Sequence, residues 1–545
     1  MNNNNEWHLA NVWESVCDAT PDSPAVRYND ISLSWRAYDD RAARLAQIFV
    51  AAKLKTGAKI AIYSHNRNEY LEAQYAAFKA RLVPINVNYR YLESELAHVL
   101  NNSDSEAIVF EAGFAPRLRL IRDQLKTTTL FIEIDDGSNE HLEGALPYEE
   151  VIAATTPMQR ITRSGDDIYM LYTGGTTGLP KGVMYDHHTF ISALIGKSMQ
   201  LRKLDFPDSP SGLIPIIKKL AETGRSPRSL PACPLMHGTG MWVGVVIPHS
   251  LGGEVVLVDN RKFDADSLLK TIEDTQTHEI VIVGDVFAKP IANALTQAKA
   301  NQRPYDMSKM QMVNSSGVMF SAEAKKALLE HLDVIIFDSM GSTEGSMGTS
   351  ISSRRTIDHD KTGKFQLAPT THVFTDDGRA VTPGSGEVGL ICNSGMVPIG
   401  YYKDASKSAA TFKVINNVRY SVPGDYATLN EDGTINLLGR GSNCINSGGE
   451  KIYPEEVEEA IKTYSAVFDC LVVGVPDDRF GDAVAAVFST EGNIAVTTSA
   501  IKAHVRSALA DYKAPRHYIQ VEYVPRAVNG KADYKQTKIL ALAAI

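Results

Sequence analysis

Cysteine is scarce in this chain: the 545 residues carry five, Cys17, Cys233, Cys392, Cys444 and Cys470. An odd, scattered set excludes a disulfide framework and offers no zinc-type pairing. The His187-His188 pair has no neighbouring ligand cluster to make it a metal site. Excess positive charge is missing as well. Lys and Arg total 55 against 64 Asp and Glu, a net charge of −9 with a pI near 5.9, so no nucleic acid held on a broad basic face is expected. No run of ~18 apolar residues occurs. The best stretch, residues 241–258, is broken by Pro248, His249, Ser250 and Glu254, so no integral membrane segment is expected. Residues 1–7 lack both the basic and the apolar region of a secretory signal, and the expected location is cytoplasmic. Heptads, internal repeats and long low-complexity tracts are also absent.

What is present is a globular composition. With 44% hydrophobic and 22% charged residues, the chain can bury a large core, and wholesale disorder is excluded. Its length corresponds to about three or four domain-sized units. Residues 1–165 alternate helical and strand patterns. Residues 37–52 have Leu45, Ile48 and Phe49 on one helical side, 59–63 read as a strand, 69–80 as a helix, 83–87 as a strand, 93–100 as a helix and 106–110 as a strand. That alternation predicts βα units with mostly parallel sheets. Residues 167–300 repeat the theme. Residues 201–232, rich in proline, serine and basic residues, read as an insertion or long surface loop. Residues 366–438 shorten into β segments separated by turns. After Gly439-Arg440-Gly441-Ser442 about 100 residues remain, enough for a separate α+β domain. They read as the helix 455–464, strands 470–475 and 483–489, the helix 498–509 and a C-terminal loop.

The sharpest local signal is Tyr172-Thr173-Gly174-Gly175-Thr176-Thr177-Gly178-Leu179-Pro180-Lys181-Gly182. Glycines let backbone N–H groups approach an anion closely, hydroxyls add donors and Lys181 adds charge. This is phosphate-binding chemistry, although the Walker spacing fails because Gly182 follows the lysine. The segment resembles the phosphate loop of the adenylate-forming superfamily, which includes acyl-CoA synthetases, luciferases and peptide-synthetase adenylation domains. Further motifs follow in the family's order along nearly the whole chain. Asp338-Ser339-Met340-Gly341-Ser342-Thr343-Glu344 resembles its aromatic-Gly-x-Thr-Glu motif, with Met340 in place of the usual tyrosine. Gly317-Val318 stands where the adenine-pocket segment belongs. Asp425 ends a Tyr-x-Thr-Gly-Asp-like motif with one additional residue, and Arg440 precedes a hinge-like Gly441-Ser442. Ser447-Gly448-Gly449 resembles the loop used for thioester formation. Pro525 and Gly530 frame Lys531 as in the C-terminal Pro-x-x-x-x-Gly-Lys segment.

The resemblance implies a fold and a set of roles. The fold is α/β: a large N-terminal domain of βα-type sheets (1–440) with a small β subdomain (366–438), then a small mobile α+β C-terminal domain (441–545). ATP and AMP would be bound by Thr173, Gly174, Gly175, Thr176, Thr177, Gly178, Lys181, Gly317, Val318, Asp338, Ser339, Met340, Gly341, Asp425 and Arg440. Thr343, Glu344 and Lys531 would be catalytic, with Glu344 holding Mg2+. His237, Met236, Trp242 and Phe287 would line or gate an acyl pocket, and Ser447, Gly448 and Gly449 would bind CoA. The implied reaction turns a carboxylic acid into acyl-AMP and pyrophosphate, then passes the acyl group to CoA. Residues 172–184, 284–290, 338–344, 439–458 and 467–476 resemble synthetases acting on steroid side chains, so the expected acid is a medium- or long-chain fatty acid or a steroid side-chain acid. Transfer to a carrier protein, a CoA-independent β-lactone synthetase and a non-catalytic nucleotide binder stand as alternatives. Partners are small molecules, with a homodimer left open.

Overall fold

The computed structural model describes residues 6–545 except 174–179, 260, 319, 358–363, 448–449, 478–480, 510 and 528–529. Three sheets build the large N-terminal part. In the first, the strand Lys59–Tyr63 lies between Val83–Asn86 and Ser105–Glu111, all parallel, with Leu130–Ile134 beyond. Helices Asn68–Lys79 and Glu93–Asn102 make crossover connections that parallel strands require. The second sheet has a parallel centre in the order Glu254–Leu257, Arg228–Pro231, Glu279–Ile282, Met312–Ser316 and Ile335–Ser342. Its strands are buried on both faces, which explains uninterrupted apolar runs such as Ile280-Val281-Ile282. It turns antiparallel at Gly345–Ser352 and continues into the short strands of 364–440. The third is an antiparallel pair, Ile168–Thr173 and Lys181–Asp186, extended by Gly400–Tyr401. A shared core holding Trp13, Trp35, Phe78, Tyr169 and Val255 joins them.

The C-terminal domain is built on one long hairpin, Val467–Asp477 against Gly481–Thr490. Ile445–Ser447 and His517–Gln520 flank it. Helices Pro454–Lys462 and Thr498–Ala508 lay Val457, Ile461, Ile501 and Val505 on one face, next to Cys470, Val472 and Phe488. The helix Tyr534–Ala544 covers the other face through Ala541.

Residues 201–232 are not a surface loop. They contain the helix Leu213–Glu222 and the strand Arg228–Pro231, which sits in the centre of the second sheet. Leu213, Ile217 and Leu220 repeat at helical spacing and are buried in the shared core. Pro215 is tolerated because it falls in the first turn, where backbone N–H groups have no helical partner. The chain after Lys531 is likewise not all loop, since Asp533 caps the final helix by accepting from the Gln536 N–H. The helix Leu9–Ala19 has no counterpart among the expectations, although Leu9, Val12, Trp13 and Val16 trace its buried stripe. All five cysteines are free thiols. Among the described residues no helix is long and apolar enough to cross a membrane.

Candidate active site

The pair Ile168–Thr173 and Lys181–Asp186 places Thr173 opposite Lys181. Gly174, Gly175, Thr176, Thr177 and Gly178 lie outside the described residues. The end of the strand Ile168–Thr173 is fixed by Asn86, a residue no motif includes. Its amide donates to the Tyr172 carbonyl at 2.8 Å and to the Met236 carbonyl at 2.6 Å, and its oxygen accepts from the Tyr172 N–H at 2.7 Å. One buried side chain therefore ties the phosphate-loop strand to the segment carrying His237. Gly182 has to be glycine, because a Cβ would lie 2.6 Å from the Met170 sulfur and 2.8 Å from the Tyr172 ring.

Lys181 and Glu344 meet at one corner. The Lys181 ammonium stands 2.7 Å from the Asp404 carboxylate and 5.8 Å from the centre of the Tyr401 ring. Tyr401 donates its hydroxyl to Glu344 Oε1 at 2.7 Å, and the Tyr185 hydroxyl donates to the Thr343 carbonyl at 2.7 Å. Thr343 and Glu344 form the tight connection between Ile335–Ser342 and Gly345–Ser352. Two tyrosines from the third sheet thus fix the turn at the end of the second. A buried carboxylate with one oxygen engaged by a neutral phenol fits a hard cation that also binds phosphate oxygens. Among the described residues no three His, Cys, Asp or Glu side chains gather into a metal cage.

His237 and Gly238 enter a widened, π-type helical turn, Thr239–Val246. Such turns recur at functional sites. Gly238 packs against Leu171 of the phosphate-loop strand, and Gly317, with φ +100°, faces Thr239. Trp242 donates its indole N–H to the Tyr169 hydroxyl at 2.7 Å. The His237 Nε2 is buried and has no hydrogen-bond partner among the described residues. Burial, reinforced by the positive charges of Lys531 and Arg90, pushes this imidazole down to about 3. It is therefore neutral at physiological pH.

Lys531 comes from the C-terminal domain. Arg526 and Ala532 close a short antiparallel loop, with Ala527 N–H donating to the Lys531 carbonyl at 2.8 Å. At Gly530, φ is +78° and a Cβ would stand 3.2 Å from Val286, so this loop lies on the large domain. Asp425 and Arg440 face each other across neighbouring strands, and the Gly441 N–H donates to the Gly424 carbonyl at 3.0 Å. The side chains of Arg440 and Ser442 lie outside the described ones, as do Gly448 and Gly449. Ser447 pairs with Glu450.

The other expected site residues have the following surroundings. Met236 is buried among Tyr63, Val87, Met170 and Tyr172. Met340 packs with Met347, Phe365 and Ile391 in the core of the β subdomain. Asp338 is buried 2.9 Å from the Lys325 ammonium, and desolvation raises its carboxyl despite that partner. Phe287 packs edge-on to Phe263. Val318 is half-buried beside the Cys233, Val281 and Val283 cluster, and Ser339 pairs with Thr349.

Comparison with known proteins bears on the family and the fold. The family described as "AMP-binding enzyme" matches residues 13–402, and "AMP-binding enzyme C-terminal domain" matches residues 456–531. The chain is 37% identical to a 3-oxocholest-4-en-26-oate–CoA ligase of Rhodococcus rhodochrous, over 97% of this chain and 95% of that protein. It is 38% identical to a medium/long-chain-fatty-acid–CoA/3-oxocholest-4-en-26-oate–CoA ligase of Mycobacterium tuberculosis, with the same coverage of 97% and 95%. Among solved structures, the anthranilate CoA ligase AuaEII in complex with anthranoyl-AMP superposes with a TM-score of 0.82 at 20% identity, covering 98% of both chains. At that identity the likeness concerns the fold.

Proposed function

Because the chain belongs to the AMP-binding enzyme family, we propose that it is an AMP-forming acyl-CoA synthetase acting on a hydrophobic carboxylic acid. The acid is a medium- or long-chain fatty acid or a steroid side-chain acid, as the names of its relatives indicate. The observation that carries this reading is the corner at which Lys181 and Glu344 share Tyr401, with Lys531 brought from the C-terminal domain close enough for its charge to act on His237, in a chain of this family.

In the first half-reaction a carboxylate oxygen of the acid attacks the α-phosphorus of ATP, and the bond to pyrophosphate breaks. Catalysis consists of positioning and charge stabilisation. Lys181 and the loop before it hold the phosphates, and Asp404 orients that ammonium. Thr343 contacts the α-phosphate, while Glu344 would hold Mg2+, which supplies charge neutralisation at the phosphates. Asp425 accepts from the ribose hydroxyls. The Lys531 ammonium bridges the attacking carboxylate and the α-phosphate as negative charge redistributes. Neutral His237 excludes water and shapes the pocket without moving a proton.

In the second half-reaction the CoA sulfur attacks the acyl carbonyl, the carbonyl–oxygen bond to phosphate breaks, and AMP leaves. Ser447, Gly448 and Gly449 admit the thiol arm. The Lys531 loop is anchored on Asp469, and Ser447 pairs with Gly481, opposite Asp477. Eight residues of strand separate Asp469 from Asp477, a span of about 27 Å. Two loops at opposite ends of one rigid hairpin do not serve one site together, so rotation about Gly441-Ser442 exchanges them. ATP and CoA place the reaction in the cytoplasm.

The test is pyrophosphate release with MgATP across a panel from medium-chain fatty acids to steroid side-chain acids, with and without CoA. The expected result is acid-dependent turnover yielding AMP and, only with CoA, acyl-CoA. Pyrophosphate release without any thioester would move the assignment to a carrier-protein thiol or a lactone product. No release with any acid would overturn it.

A further inference from the structure

The Lys531 loop and the strand that anchors it reach the large domain through Val286 and Lys289, two residues given no role above. Lys289 lies on the helix Gly284–Ala300, 3.4 Å from the Asp285 carboxylate. Its ammonium donates to the Phe468 carbonyl at 3.0 Å and sits 5.1 Å from the centre of the Phe468 ring. The next residue, Asp469, accepts two bonds from the Arg526 guanidinium at 2.5 and 2.7 Å. Arg526 in turn donates to the Gly530 carbonyl at 3.0 Å, and Gly530 rests against Val286 of the same helix. One helix of the large domain therefore touches the loop at Gly530, through Val286, and the strand that anchors the loop at Phe468, through Lys289. A crevice of about 50 Å³ runs between the two contacts.

We propose that Lys289 is a positioning residue for acyl-adenylate formation. Its ammonium latches the C-terminal domain in the arrangement that sets Lys531 beside His237, and the latch opens when the domain turns for thioester formation. Exposed ion pairs contribute little, but the Lys289 side chain is only 27% exposed and combines a charge-assisted hydrogen bond with a cation–π contact. The inference rests on the role given above to Lys531.

Acyl-adenylate formation and the reaction of preformed acyl-AMP with CoA, measured separately, test it. Lys289→Ala is expected to slow the first about tenfold and to leave the second within about twofold. Lys289→Arg keeps donor and charge and restores the first. Phe468→Ala removes the ring but keeps the carbonyl, for a selective loss of about threefold. Equal losses in both half-reactions, or no change in either, would overturn the latch. Lys531→Ala run in parallel separates the two ideas. A selective loss there with none in Lys289→Ala removes the latch alone, whereas Lys531→Ala sparing adenylation removes the reading on which it rests.

Discussion

The two lysines that bracket the site are held in opposite ways. Lys181 stands on a strand of the large domain, with Asp404 and Tyr401 beside it from one segment and Glu344 joined to Tyr401 from another. Lys531 stands on a loop whose geometry is made inside the C-terminal domain by Asp469 and Arg526 and which meets the large domain at Val286, while Lys289 holds Phe468 beside it. One half of the site is built into a core, and the other is delivered to it. A group fixed by core packing serves both half-reactions, whereas a delivered group can serve one and withdraw.

Lys531→Ala strikes the delivered half hardest. It is expected to slow acyl-adenylate formation by about 100- to 1000-fold, while preformed acyl-AMP still reacts with CoA near the parent rate. Equal loss in both half-reactions would erase the contrast. Glu344→Gln acts on the built-in half and is expected to cost about 100-fold in adenylation and to raise the Mg2+ concentration needed for half-maximal rate. An unchanged Mg2+ dependence would remove the metal role from Glu344. Asn86→Ala tests whether the built-in half depends on the core. It strands the Tyr172 N–H and two carbonyls in a buried place. The expected cost is about 1–3 kcal/mol in chemical denaturation, with adenylation falling alongside; parent stability would show that the bridge is dispensable.

The smallest effect concerns pH at the contact between the halves. Burial, then the like charge of Glu323 on the large domain, pushes the Glu459 carboxyl up to about 7, with Lys462 opposing and Glu456 adding. The docked arrangement therefore binds more protons than an undocked one. Its gain is fully present below the ordinary carboxyl value of 4.5 and is lost as pH rises through about 7. The ratio of adenylation to thioester formation is expected to fall about two- to threefold between pH ~6 and ~8 and to flatten in Glu459→Gln. An equal slope in both proteins would separate docking from this carboxyl.

The family was legible along the chain because its motifs are continuous in sequence. The glycine- and threonine-rich segment before Lys181, the Thr343-Glu344 pair and the Gly530-Lys531 step carry their spacing wherever they fold. Their supports were not legible. Asn86 acts on Tyr172 and Met236, Tyr401 on Glu344, and Asp404 on Lys181. Each looks like an ordinary polar or aromatic residue, distant in sequence from the group it holds. The helix Leu213–Glu222 was hidden by its proline and lysines, although its apolar spacing was there to be counted.

The order of motifs, the βα alternation and the glycines that backbone geometry demands belonged to the sequence by itself, since local chemistry and periodicity suffice to produce them. Which side of a strand faces the site did not. Within Ile335–Ser342 the alternation of side chains sends Met340 into a hydrophobic core and Asp338 to a buried lysine. The nearness of Lys531 to His237, the contact of Lys289 with Phe468 and the separation of Lys531 from Ser447 along one hairpin were likewise decided in three dimensions. A strand keeps its two ends apart, and only packing determines what each end touches.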